Sequence, residues 1–223
     1  YKKQLLQRTY QQLAIYPNST VENLVISVNG KGSSKGFSCM ISNCIQDLNS
    51  LSAGSQCFPL FWYEKNDEIN LFSSEKYTKH DGITDYIEKK ANDKYLSKIS
   101  KEEIFYYVYG LLHSKDYRKC FESDLIKGLP RIPLVETYED FIAFSKAGKK
   151  LADLHLNYEK VEPYSKCKIM VYPEANYLVT KMKFGKNKNK NIIEYNEKIT
   201  ISKLRFCIIY FANSNLNKAV HSF

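Results

Sequence analysis

Ser100-Lys-Glu-Glu-Ile-Phe-Tyr-Tyr-Val-Tyr-Gly-Leu-Leu-His-Ser114, followed by Lys115-Asp-Tyr-Arg-Lys-Cys-Phe121 and then Leu129-Pro-Arg-Ile-Pro133, is the stretch that decides the fold. Ser100 and Glu103 have the spacing of a capping box, in which each side chain satisfies an orphan amide at a helix start. Ile104, Tyr107, Val108, Leu111 and Leu112 recur at helical spacing and define one apolar face. Phe105, Tyr106 and Tyr109 occupy the other face, so the helix is expected to be covered on two sides. Each large apolar side chain that is buried contributes roughly 1.5–3 kcal/mol, which makes this helix the expected core nucleus. A second helix is read over Asp116 to Lys127, ended by Gly128 and kept from resuming by Pro130 and Pro133. Together they form a helical hairpin.

Working outward, Asn23 to Asn29 is β-branched and apolar and reads as a buried strand. Gly30 to Gly36 (Gly-Lys-Gly-Ser-Ser-Lys-Gly) is a flexible basic loop. It is not a P-loop, because that motif needs four residues between Gly and Gly-Lys-Ser/Thr and then a helix. Phe37 to Ile45 and Cys57 to Tyr63 read as further strands, Glu64 to Asn70 as a charged turn, and Thr84 to Lys94 as a short helix. Thr137 caps a long helix to about Asn157, with Phe141, Phe144, Ala147, Leu151 and Leu154 on its buried face. Strands follow at Lys168 to Tyr172, Tyr177 to Phe184, Asn191 to Ser202 and Phe206 to Phe211, with a basic hairpin-like loop at Gly185 to Asn191. The order of strands, helices and strands gives an α+β fold: mixed or antiparallel sheet elements at both ends, a central helical hairpin and one long helix. Residues 1–20 are expected to be an entry segment and residues 21–202 one domain.

The chain has 223 residues, 43% of them hydrophobic and 14% aromatic, enough for a sizeable core and unlike a disordered tail. No apolar run approaches the ~20 residues of a membrane span, and no signal peptide is visible, so no membrane partner is expected and a cytoplasmic location is. The chain opens at Tyr1 without an initiator Met, which reads as a piece of something longer. The six cysteines make no metal-binding pair and are expected to be reduced.

Net charge is +9 and is uneven: +4 over residues 1–35, −2 over 36–180, +6 over 181–205 and +1 beyond. Basic ends around a neutral middle suit a polyanion, and the structural alternative is a lysine-rich solvated surface. The residues expected to contact such a polyanion, nucleic acid above all, are Lys31, Ser33, Ser34 and Lys35 in the first loop, and Lys183, Lys186, Lys188 and Lys190 near the last. Arg131, held between prolines, is a further one. If Gly185 to Asn191 is extended, Lys186, Lys188 and Lys190 share one side.

His80, His113, His155 and His221 are scattered, with no triad or metal cage; His113 and His155 lie at helix ends, where a structural role is expected. Glu88 and Lys90, after Asp81 or Asp85, echo a metal-nuclease pattern but fall in a helix, which leaves a small metal-dependent nuclease as an alternative. A protein-interaction scaffold with an aromatic surface is another. There is no Gly-x-Gly-x-x-Gly, no Walker motif and no Asn-Pro-Pro-Tyr, so neither a catalytic site nor a metal site is expected in this chain.

Several islands, taken in order, carry a resemblance. They are Glu22-Asn-Leu-Val-Ile26 with Gly30 and Lys35-Gly-Phe37, Gln56-Cys-Phe-Pro-Leu-Phe-Trp-Tyr-Glu64, Asp81-Gly-Ile-Thr-Asp-Tyr86, Ile104 to Ser114 and Leu129 to Pro133. Phe144-Ser-Lys-Ala-Gly148, Leu151 to Glu159 and Tyr195-Asn-Glu-Lys-Ile-Thr-Ile201 complete the set. The chain resembles the C-terminal specificity region of Type ISP restriction–modification enzymes, over roughly Val21 to Ser202. The resemblance implies a non-catalytic target-recognition domain that reads double-stranded DNA. It would direct N6-adenine methylation and cleavage by the methyltransferase and helicase/nuclease domains of the same enzyme. S-adenosylmethionine, ATP and Mg are then expected only for the full-length enzyme. Residues 203–223 depart from the family pattern, as a frameshifted or truncated gene would produce.

Overall fold

The computed structural model describes residues 10–33, 36–51, 54–66, 76–162, 167–179 and 181–204. The described residues divide into two compact units, one running to Tyr158 and the other starting at Glu159.

The first unit is built on α3 (Lys101–His113) and α6 (Tyr138–Leu156). The capping box is present in full: the Ser100 hydroxyl accepts from the Glu103 amide at 3.2 Å, and the Glu103 carboxylate accepts from the Ser100 amide at 2.9 Å. Phe105, Tyr107, Tyr109 and Leu111 are all buried, so the helix is enclosed on both faces as its composition required. The partner face of α6 differs from the expected one. Leu151 and Leu154 are half-buried, and Ser145, Gly148 and Ala152 run down the inside with Phe141 and Phe144. Small residues line this stripe because the backbones touch. A Cβ on Gly148 would stand 2.0 Å from the Tyr106 carbonyl oxygen, and one on Gly110 would stand 2.4 Å from that of Phe144.

The second helix of the hairpin is two pieces, α4 (Lys115–Cys120) and α5 (Glu122–Lys127), broken at Phe121. Ser114 caps α4 through the Tyr117 amide, and the Phe121 ring leaves the helix line to sit 5.0 Å from Tyr117. Gly128 ends α5 as expected. The proline-rich segment that follows is strapped down by hydroxyls. Tyr117 donates to the Arg131 carbonyl (2.8 Å), Tyr107 to that of Pro133 (2.6 Å) and Tyr95 to that of Val135 (2.6 Å). These bonds let tyrosine serve where phenylalanine would leave carbonyls unsatisfied. Tyr95 belongs to α2 (Asp85–Tyr95).

Two antiparallel sheets complete the unit. β1 (Val25–Val28) lies between β2 (Cys39–Ser42) and β3 (Gln56–Pro59), while β4 (Phe61–Lys65) pairs with β5 (Tyr77–Asp81). The single strand read over Cys57 to Tyr63 is therefore two, changing sheets at the buried Leu60. Asn23 makes the corner. Its amide donates to the carbonyls of Ile15 (3.1 Å) and Phe61 (2.7 Å), and its oxygen accepts from the amides of Leu24 (2.9 Å) and Phe61 (3.1 Å). Ile15 ends a short helix, α1 (Tyr10–Ile15), within the expected entry segment.

The second unit holds one antiparallel sheet, ordered β6 (Lys168–Val171), β9 (Ile199–Ser202), β8 (Asn189–Asn196) and β7 (Lys183–Gly185). The strand expected over Tyr177 to Phe184 is confined to β7, because Asn196 and Tyr195 hold the backbone carbonyls of residues 176, 177 and 178 through side chains instead of a ladder. The strand expected at Phe206 to Phe211 lies outside the described residues.

Helix and antiparallel sheet together make the chain α+β. Among the described residues, no helix is long and apolar enough to cross a membrane. Cys39, Cys44, Cys57 and Cys120 are free thiols, but Cys167 is disulfide-bonded. That corrects the expectation of reduced cysteines throughout: spacing along the chain does not tell which sulfurs the fold brings together.

Candidate nucleic-acid interface

The residues singled out as DNA contacts fall into separate places. In the first unit, the loop of residues 29–38 joins β1 to β2 as a hairpin tip. Its base is closed by Asn29, whose buried amide donates to the Gly36 carbonyl (2.8 Å) and whose oxygen accepts from the Ser38 amide (2.7 Å). Gly32 and Gly36 both sit at left-handed φ, +77° and +76°, where a side chain would be strained. Lys31 is exposed at the tip. Ser33 turns its hydroxyl inward to the Gly36 carbonyl at 3.5 Å. Ser34 and Lys35 lie outside the described residues. Arg131 is exposed in the proline strap, where its carbonyl is held by Tyr117.

In the second unit, the expected extended segment from Gly185 is a tight turn. Lys186–Lys188 forms one 3-10 turn with Asn187 and Lys188 at φ +58° and +56°, and Lys190 already belongs to β8. The alternation that was to align Lys186, Lys188 and Lys190 does not hold, because two consecutive left-handed residues reverse the chain. The three lysines are exposed around this hairpin end. Lys183 is different: it faces Glu194 across the ladder and pairs with it at 2.9 Å, so its charge is already answered.

The nuclease-like residues are also accounted for. Lys101 reaches Asp81 at 2.8 Å, Asp85 at shorter range and Glu88 at 4.0 Å. These carboxylates form a network on one lysine, and the Asp81 and Asp85 hydrogen bonds hold its pKa above the usual lysine range. Lys90 is exposed and outside it. Among the described residues, no group of three His, Cys, Asp or Glu side chains could hold a metal.

A cluster that sequence reasoning missed lies beside the first loop. Arg118 on α4 donates from Nε to the Leu112 carbonyl (2.6 Å), lies 3.4 Å from His113 Nδ1 and packs 5.5 Å from the centre of the Phe37 ring. His113 meets His155 ring to ring at 5.6 Å, and His155 Nδ1 shares a 2.5 Å hydrogen bond with the Tyr109 hydroxyl. Burial first, then the Arg118 charge, lowers the His113 pKa to about 3. Both histidines are thus packed at helix ends, and His113 is neutral at pH 7. No spacing in the sequence links positions 37, 113, 118 and 155.

The sequence matches, over residues 1–211, the family described as the Type ISP C-terminal specificity domain. The chain belongs to that family. The specificity domain also matches solved structures. One is titled as the ATP-dependent Type ISP restriction–modification enzyme LlaBIII bound to DNA: 39% identity, 91% of this chain, 13% of that chain, TM-score 0.74. Another is a nuclease-deletion mutant of the Type ISP enzyme LlaGI in complex with a DNA substrate mimic, at 31% identity over 86% of this chain and 16% of that one, TM-score 0.65. A third is a cryo-EM structure of a DrdV–DNA complex, at 28% identity over 91% and 20%, TM-score 0.71. The chain therefore spans about a fifth or less of the length of these relatives. No curated protein matches it.

Proposed function

We propose that this specificity domain reads the target sequence of a Type ISP restriction–modification enzyme on double-stranded DNA. The observation that carries the reading is the 39% identity over 91% of the chain to an enzyme whose structure is titled as DNA-bound. The exposed lysines at two hairpin ends supply the phosphate contacts that position a protein on a duplex, and polar loop side chains read base edges. The domain itself does no chemistry. N6-adenine methylation, cleavage and the S-adenosylmethionine, ATP and Mg they need belong to other domains of the enzyme, and the work is done in the cytoplasm. The metal-nuclease alternative loses its carboxylates, Asp81, Asp85 and Glu88, to the Lys101 network.

The test is a transplant. The chain replaces the corresponding segment of LlaBIII, and N6-methyladenine is mapped genome-wide by single-molecule sequencing. A new methylated motif is expected. A hybrid that methylates the recipient's original motif refutes the reading.

A further inference from the structure

Among the described residues, Arg118 is bound by neutral acceptors and an aromatic ring but by no carboxylate. It is half-buried, yet among the described residues no carboxylate lies within ion-pair distance of it, and its Nη1 makes no hydrogen bond. Three lysines of the first unit do pair with carboxylates: Lys94 with Glu136, Lys101 with Asp81 and Lys149 with Glu102. A partly desolvated guanidinium without a counter-charge has binding capacity left for an anion supplied from outside. His113 does not offset it. Accepting from Arg118 through Nδ1 puts its proton on Nε2, and that atom is buried without a partner. The Leu112 carbonyl fixes the guanidinium on one edge and the Phe37 ring packs against it. The donors left over are held beside the loop that carries Lys31.

We propose that Arg118 is an anion-binding position that takes a backbone phosphate of the bound duplex beside the β1–β2 loop. This rests on the DNA-recognition reading above and adds the residue to it. A guanidinium fork suits two phosphate oxygens, and it is less strongly hydrated than an ammonium, so it keeps that ability when half-buried. Phe37, at the end of the β1–β2 loop, packs against the guanidinium and places the contact beside that loop.

The structural alternative is that Arg118 only caps the C-terminal carbonyls of α3. Two measurements on the full 223-residue chain separate the readings. The first is binding to a random-sequence duplex across a salt series, for the parent, Arg118→Gln, Arg118→Lys and Lys31→Ala. The second is thermal melting in inorganic phosphate against chloride at equal ionic strength. Arg118→Gln is expected to lose roughly tenfold in affinity and about 0.9 in salt slope, one phosphate contact's worth. Arg118→Lys should keep the slope, and phosphate should protect the parent but not Arg118→Gln. If Arg118→Gln keeps the parent's slope while Lys31→Ala lowers it, Arg118 is a helix cap only, the proposal is overturned, and DNA recognition stands. If the parent binds no duplex at any salt, the DNA reading has failed and the melts decide. Phosphate protection lost in Arg118→Gln then keeps the anion site, and equal or absent protection in both overturns it.

Discussion

The tightest test of the architecture is Gly148→Ala. Elsewhere in a helix interior this change is stabilising by about 0.8–1 kcal/mol, because alanine orders the helix at lower entropy. At residue 148 the added methyl would stand 2.0 Å from the Tyr106 carbonyl oxygen, 2.8 Å from the Gly110 amide nitrogen and 2.9 Å from the Tyr106 carbonyl carbon. All three are backbone atoms of α3, so no rotamer change relieves them. Ordinary contact is 3.4 Å or more, so the helices must part by roughly 1.4 Å at the point where Tyr107, Phe141 and Phe144 interlock. Overpacking of this kind costs about 1–3 kcal/mol or more, which outweighs the helix gain. Gly128→Ala is the control: nothing lies within 4 Å of a Cβ there, and its φ of −160° suits any residue. Urea unfolding of parent and both variants, followed by circular dichroism, measures the difference. We expect Gly148→Ala to be destabilised by about 2 kcal/mol and Gly128→Ala to stay within about 0.5 kcal/mol of the parent. A Gly148→Ala protein as stable as the parent would mean that α3 and α6 do not meet backbone to backbone.

Three further outcomes follow from the same structure. Asn23→Ala removes four hydrogen bonds at the corner of α1, β1 and β4, leaves half-buried backbone groups unsatisfied, and should lower stability by about 2–4 kcal/mol in the same urea assay; a loss under about 0.5 kcal/mol would deny the corner its role. His113, with its pKa lowered from 6.5 to about 3, is neutral when folded and charged when unfolded between those values, facing Arg118 and His155. The unfolded state therefore binds the extra proton, stability is full above about pH 6.5 and falls as pH drops toward 3, and His113→Phe should flatten that fall by about 1.4 kcal/mol per pH unit. Parallel pH profiles for the two proteins would contradict it. The triple change Lys186→Ala, Lys188→Ala and Lys190→Ala should leave the melting profile intact yet reduce the salt slope of duplex binding by up to about three, for specific and random DNA alike. An unchanged slope would make that turn a solvated hairpin end.

What the sequence determined by itself is what neighbours three or four residues apart decide. The Ser100–Glu103 box, the two-faced helix after it, the stop at Gly128 and the Thr137 cap all rest on local hydrogen bonds and helical spacing, and each stands in the structure. The family islands were legible for the same reason, as fixed residues in fixed order. The tertiary structure alone decided the rest. The strand through Leu60 splits because its halves pair with β1 and β5, which lie about thirty residues back and fifteen ahead in the chain. Gly148 lines the core of α6 because another helix's backbone occupies the space a side chain would take. Lys183 is neutralised by Glu194 only because a hairpin brings them opposite, and two left-handed residues undo the row of lysines beyond it. Arg118 and Phe37 meet through packing between residues some eighty positions apart. A side chain's charge can be read from its letter, but whether that charge is answered depends on what the fold places within a few ångströms of it, since pair interactions fall off with distance and solvent screening.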